Sequence, residues 1–104
     1  MRGDVYRLRA AKNARGHEQK GVRYAIELQG PISLSTVIVA PTSTRAAPAV
    51  FRPEIDLDGM TTRVLVDQMA AVDGALRLGD MVGRLSAGEM AEVDVALRLL
   101  LGLL

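Results

Sequence analysis

Residues 35–41 read STVIVAP. Val37, Ile38 and Val39 put β-branched apolar side chains on both faces of one extended segment. A strand of that kind is covered on both sides, so it belongs in the centre of a sheet. The neighbouring segments fit around it. Upstream, DVYRLRA (4–10) sets Val5 and Leu8 among polar Arg7 and Arg9, which predicts a half-buried strand. RYAIELQ (23–29) is a second strand, stopped by Gly30-Pro31. Downstream, TSTRAAPAVFRP (42–53) is a loop, because Pro48 and Pro53 limit how much of it can join a sheet. EIDL (54–57) is a short strand, Asp58-Gly59 a turn, and TRVLVDQM (62–69) a further strand.

From residue 70 the pattern is mixed. A helical turn fits residues 73–78, and MVGRL (81–85) returns to the sheet. Ser86 and Glu89 have the spacing of a capping box, in which the hydroxyl caps while the carboxylate reaches back to the cap amide. A C-terminal helix follows. Met90, Val93, Leu97, Leu100 and Leu104 make one apolar face at helical spacing, and Val95, Leu99 and Leu103 make a second stripe. A chain this small has little surface with which to cover both, and the extra stripe points to a dimer. Five or six short strands with a closing helix give a mainly β fold with helices (α+β): a small sheet or open barrel capped by a helix.

The chain has 104 residues, enough for one domain spanning 1–104. It has no cysteine and one histidine, which excludes disulfides, thiolate metal sites and sites built on several histidines. No metal or cofactor is expected. No apolar run reaches the ~18 residues of a membrane span, and charges interrupt the N-terminus where a signal peptide would be apolar. A soluble cytoplasmic protein without a membrane partner is expected. Charge is distributed unevenly. Residues 1–23 carry seven basic and two acidic side chains, so that segment is +5 and the rest of the chain is −4. The asymmetry suggests one face for a polyanion, although a solvated basic strand pair would show it too.

Several stretches together carry a resemblance: RGDVY at the start, HEQKGVR at 17–23, TVIVAPTST at 36–44, VLVDQM at 64–69 and VGRLSAGEMAEVDVALRLLLGL at 82–103. In this order and spacing, over essentially the whole length, the chain resembles the MazF/PemK toxins, the endoribonuclease half of bacterial type II toxin–antitoxin pairs. The resemblance implies a strongly curved antiparallel β-barrel of the CcdB/PemK plasmid-toxin type and a homodimer. It also implies metal-independent, sequence-selective cleavage of single-stranded RNA (messenger, ribosomal or transfer), leaving a 2′,3′-cyclic phosphate and a 5′-hydroxyl. A cognate antitoxin would inhibit the protein by laying an acidic tail across the RNA groove.

The implied site follows position by position. The family's essential arginine closes Gly-x-Arg-Pro, here Gly21-Val22-Arg23, with Tyr24 in place of the proline. The family's threonine after the third strand falls on Ser43, with Thr44 as the alternative and Thr42 on the other side. The loop pattern Gly-Ser-Glu-Gln becomes Gly16-His17-Glu18-Gln19, and Gln68 matches a glutamine near the groove.

The chemistry needs a base for the 2′-hydroxyl, donors for charge growing on phosphate oxygens, and an acid for the leaving 5′-oxygen. Arg23 suits the second task, since its planar fork matches two phosphate oxygens and stays charged. Ser43 could donate a hydroxyl to the same phosphate, although Ser and Thr also serve simply in turns. An arginine is a poor base, which leaves Glu18 and His17. Either could instead be an ordinary loop residue, with Glu18 ion-paired to Lys20 or Arg15. Arg7, Arg9, Lys12, Arg15, Lys20 and Arg45 are candidate phosphate contacts. Gln19, Asn13 and Gln68 are candidate base readers, and Tyr6, Tyr24, Phe51 and His17 are the few stacking platforms. Two other classes stay open: a non-enzymatic, CcdB-like toxin that binds and poisons DNA gyrase on the same fold, and a degenerate homologue that keeps only dimer and antitoxin binding.

Overall fold

The computed structural model describes residues 1–9 and 23–103. It consists of seven strands and a closing helix. The strands are β1 (Asp4–Leu8), β2 (Arg23–Glu27), β3 (Thr36–Ser43), β4 (Glu54–Leu57), β5 (Met60–Val64), β6 (Ala70–Asp73) and β7 (Leu78–Arg84). A one-turn helix α1 (Gly74–Arg77) precedes β7, and α2 (Ala87–Leu101) ends the chain. All pairings are antiparallel, in the order β4-β5-β3-β2-β1-β7, with β6 also beside β3. The result is a curled half-barrel of antiparallel strands with α2 packed on it.

STVIVAP is central in its pairing, but it is not covered on both faces, since Val39 and Ala40 are buried while Ile38 is exposed; β3 continues through Thr42 and Ser43, which the sequence suggested were already loop. Its residues 36–39 pair with β6, 39–41 with β2, and 42–43 with β5. One further expectation is corrected. TRVLVDQM is not one strand, because β5 ends at Val64 and Val66–Gln68 form a 3-10 turn. Val64, Leu65 and Val66 are all buried. Val64 and Val66 enter the core cluster while Leu65 between them lines the groove, so the segment is covered on both faces even though its ladder ends.

The β4–β5 connection is the expected Asp58-Gly59 turn. Both residues have positive φ, 55° and 83°, the conformation of a type I′ hairpin. The Gly59 N–H donates to Oδ1 of Asp56 at 2.9 Å.

The core joins Val5, Ile26, Ala40, Ile55, Val64 and Val66 to Val93 and Ala96 of α2. The small Ala96 lets the helix approach the sheet closely, while Met90 and Leu97 pack at its margins. Gly3 makes the approach possible at the chain start. Its φ is 90°, and a Cβ there would sit 3.3 Å from Sδ of Met90. Arg2 then reaches across to the Leu28 carbonyl at 2.8 Å and the Asp94 carboxylate at 2.6 Å. The second stripe of α2 stays outside: Val95, Leu99 and Leu103 are 52–60% exposed.

The capping box is present. Ser86 Oγ accepts from the Glu89 N–H at 3.1 Å, and Glu89 Oε1 accepts from the Ser86 N–H at 2.9 Å. The other carboxylate oxygen accepts from the Asp56 N–H at 2.8 Å, tying the helix start to β4. Burial pushes the Glu89 carboxyl up, but the Ser86 and Asp56 N–H donors outweigh it and hold the group below its ordinary value. The folded-state pKa is depressed, so the stabilisation is complete above the unfolded value of 4.5 and is lost as pH falls through the lower folded value. Glu89→Ala should cost about 1–2 kcal/mol at neutral pH. In paired thermal melts, that difference from the parent protein should shrink as the pH is taken down to 3.

Candidate functional site

The concave face of the sheet encloses a groove of about 1290 Å³. Its floor is the adjoining part of β2 and β3, with Arg23, Tyr24, Thr42 and Ser43. Arg7 of β1 and Arg84 of β7 stand on one side, and Asp56, Asp58 and Met60 of the β4–β5 hairpin on the other. Thr44, Arg45 and Gln68 complete the rim. The groove is therefore bipolar, with arginines at its floor and one side and carboxylates at the other.

Ser43 is at the point where β3 ends. Its Oγ accepts from the Arg45 N–H at 3.1 Å and from the Ala46 N–H at 3.0 Å, a turn stabilised by a side chain. The turn role leaves the hydroxyl proton available. An oxygen that accepts two N–H bonds is polarised by them and becomes a better donor in turn. Next to it, the Thr42 hydroxyl is directed to the Tyr24 carbonyl at 3.3 Å. Thr44 is exposed on the rim.

Arg23 opens β2, opposite Leu8 of β1. It is exposed, and among the described residues no carboxylate pairs with it, whereas Arg52 and Arg63 are fully engaged elsewhere. Arg52 forks onto Asp67 at 3.1 and 3.0 Å, donates to the Ala47 carbonyl at 3.3 Å, and lies over the Phe51 ring at 5.6 Å. Its guanidinium holds the Asp67 carboxyl below the usual value. Arg63 donates to the Arg52 carbonyl at 2.8 Å and to Glu54 at 2.6 Å. These two arginines secure the loop that carries Arg45, and the adjacent 3-10 turn presents Gln68.

The groove thus gathers Arg7, Arg23, Thr42, Ser43, Thr44, Arg45 and Gln68 from the sequence-based expectations. Arg9 is not among its lining residues. Its guanidinium donates to the Ala75 carbonyl at 3.2 Å, while Arg77 donates back to the Arg9 carbonyl at 2.9 Å, so the pair clasps α1 to β1. Lys12, Asn13, Arg15, His17, Glu18, Gln19 and Lys20 lie outside the described residues. Of the described stacking candidates, only Tyr24 lines the groove. Sequence reasoning missed Arg84 and the acidic hairpin. The one available signal for Arg84 was Asp4, an acid in a half-buried strand that would need a cation, but pairing across 80 positions is invisible without the register. Among the described residues no cluster of three or more His, Asp or Glu side chains could hold a metal ion, and no helix is long and apolar enough to cross a membrane.

The family model described as PemK-like, MazF-like toxin of type II toxin–antitoxin system matches residues 1–101. The chain belongs to this family. The Mycobacterium tuberculosis protein Rv3098A is 46% identical over 104 residues, which cover 99% of this chain and 98% of that one. Among solved structures, MazF from Deinococcus radiodurans superimposes with a TM-score of 0.75 at 26% identity, covering 98% of this chain and 96% of that one. An endoribonuclease in complex with its cognate antitoxin, from a mycobacterial species, gives a TM-score of 0.80 at 19% identity over 100% of this chain and 96% of that one. These likenesses agree with the curled half-barrel and its C-terminal helix.

Ser43→Ala should remove the acceptor for two backbone N–H groups and cost about 1 kcal/mol, whereas Ser43→Thr should retain it. Amide hydrogen exchange at Arg45 and Ala46 checks this. Protection should drop in the alanine variant only, and Thr44→Ala should leave it unchanged.

Proposed function

We propose that this toxin-family chain is a sequence-selective endoribonuclease that cuts single-stranded RNA without a metal, by attack of the 2′-oxygen on the adjacent phosphorus. The observation that carries the proposal is the meeting of Arg23 with the polarised Ser43 hydroxyl in one groove, on a chain of this family. The new bond is 2′-O to phosphorus and the bond broken is phosphorus to O5′, so the ends are a 2′,3′-cyclic phosphate and a 5′-hydroxyl. Arg23 donates to two non-bridging oxygens as charge grows on them. Ser43 donates to the same phosphate and fixes its position, with Thr44 as the alternative hydroxyl. The 2′ proton goes to Glu18 or His17 in the segment between β1 and β2, and the leaving oxygen takes up a proton.

Arg7 and Arg45 hold neighbouring phosphates, with Lys12, Arg15 and Lys20 as further candidates. Tyr24 offers a stacking face, and Gln68 and Gln19 supply hydrogen bonds to base edges. The carboxylates of Asp56 and Asp58 repel phosphate, which orients the strand across the groove rather than along the hairpin. The toxin is proposed to act in the cytoplasm as a homodimer, with the exposed Val95, Leu99 and Leu103 stripe available to a second copy. A cognate antitoxin is proposed to block the groove.

Cleavage should persist in EDTA and fail on a substrate whose target 2′-hydroxyl is replaced by hydrogen. Arg23→Ala should lower the rate by about 10²–10³ with an unchanged circular dichroism spectrum. EDTA-blocked activity, or cutting of the deoxy substrate, would sink the mechanism. A protein that leaves RNA intact but inhibits DNA gyrase would belong to the other class.

A further inference from the structure

Arg84 ends β7 directly opposite Asp4 of β1. Its Nε donates to Oδ1 of Asp4 at 2.8 Å. Asp4 is only 4% exposed, whereas the Arg84 side chain is 54% exposed and lines the groove. The acid is thus the fixed member of the pair. A carboxylate at that depth is costly without a partner, so it holds the guanidinium in one orientation.

A guanidinium presents two donor edges, one through Nε and one through the two terminal nitrogens. In Arg84 the first edge is used by Asp4. Among the described residues, neither terminal nitrogen has a hydrogen-bond partner, in contrast to Arg52 and Arg63, whose terminal nitrogens are bound to carboxylates and carbonyls. The edge that remains on Arg84 is the one that matches two oxygens of a phosphate.

We propose that Arg84 is a further phosphate-binding arginine of the groove, distinguished by being positioned by Asp4, and that it holds the RNA strand away from the scissile phosphate. The proposal rests on the RNA-cleaving function proposed above. Arg23 lies opposite Leu8 and Arg84 opposite Asp4, on either side of β1. Two interstrand spacings across and four residues along put their Cα atoms about 16 Å apart. The two forks therefore serve different phosphates of one strand. Arg84 acts on binding and Arg23 on the chemical step.

The test uses the full chain and a single-stranded RNA carrying a 2′-deoxy residue at the cut site, titrated over a range of salt concentrations, with cleavage kinetics on the all-ribose substrate. Arg84→Ala should weaken binding about tenfold and flatten the slope of log affinity against log salt by about 0.7, one contact on a single strand. KM should rise with little change in kcat. Asp4→Asn keeps the Arg84 charge but loosens its hold, so it should retain the parent salt slope with a smaller rise in KM. Because Arg84→Ala leaves the buried acid with only the Met1 ammonium, 3.2 Å from its other oxygen, the double variant Asp4→Asn/Arg84→Ala provides a folded comparison, and it should show the same flattened slope. A parent-like slope and KM in both Arg84 variants would overturn the role of Arg84 and leave the nuclease proposal standing. A parent protein that neither binds nor cuts RNA would overturn both.

Discussion

The fold depends on a change of partner along β3. One edge of this strand is held by β2, while the other passes from β6 to β5. Pro41 stands at the changeover. A proline cannot donate to a ladder and is normally confined to sheet edges and irregularities, yet this one is in the middle of the sheet. Its carbonyl still accepts from the Leu65 N–H at 2.8 Å, just where the partner chain leaves β5 for the 3-10 turn. The missing donor therefore falls where the ladder is already broken. The break comes where Val64 and Val66 enter the core and Leu65 lines the groove, and it lets the sheet curl. Curvature, core and groove thus share one origin, with Ser43 two residues beyond Pro41 on the concave side.

The sequence was informative wherever local chemistry decides the outcome. The capping box, the Asp58-Gly59 turn and the strand EIDL need only neighbours a few residues away, and the structure has each of them. The apolar density of STVIVAP was enough to place it centrally. What was not legible depends on contacts between distant segments. TRVLVDQM has the composition of a strand, and it is broken by the 3-10 turn at Val66–Gln68, whose contacts lie with distant segments. The helix pattern, likewise, did not indicate that Ala96 would be fully buried in the core, because a small side chain adds little to an apolar stripe. For the site, the family pattern singled out Arg23 and Ser43, and both line the groove. Arg84 escaped because its meaning comes from Asp4, 80 residues away.

Two buried or half-buried acids do comparable structural work at opposite ends of the chain. Glu89 joins the start of α2 to β4 through two backbone donors, the Ser86 and Asp56 N–H groups, and Asp4 joins β1 to β7 through Arg84. In Asp4, burial raises the carboxyl and the Arg84 hydrogen bond opposes it, leaving the group below its ordinary value. Such groups stay charged because the protein supplies donors in place of water. The exposed acids of the groove, Asp56 and Asp58, have a different consequence. They set a negative side against a positive floor, so that a polyanion entering the groove meets attraction and repulsion a few side chains apart.

The two roles of Ser43 bear on why a serine can stand where the family pattern has a threonine. Its oxygen must accept from the Arg45 and Ala46 N–H groups to form the turn that carries Arg45, and either hydroxyl residue can do so. Thr44 has no such constraint. Moving the proposed phosphate-facing hydroxyl there would leave the turn donors to Ser43 and give the proposed chemistry an exposed side chain. Orientation matters because a donor that must first be ordered loses much of its advantage in stabilising a transition state. Ser43 is ordered by its turn before any substrate arrives. On that physical ground the proposed phosphate-facing hydroxyl fits position 43 better than 44.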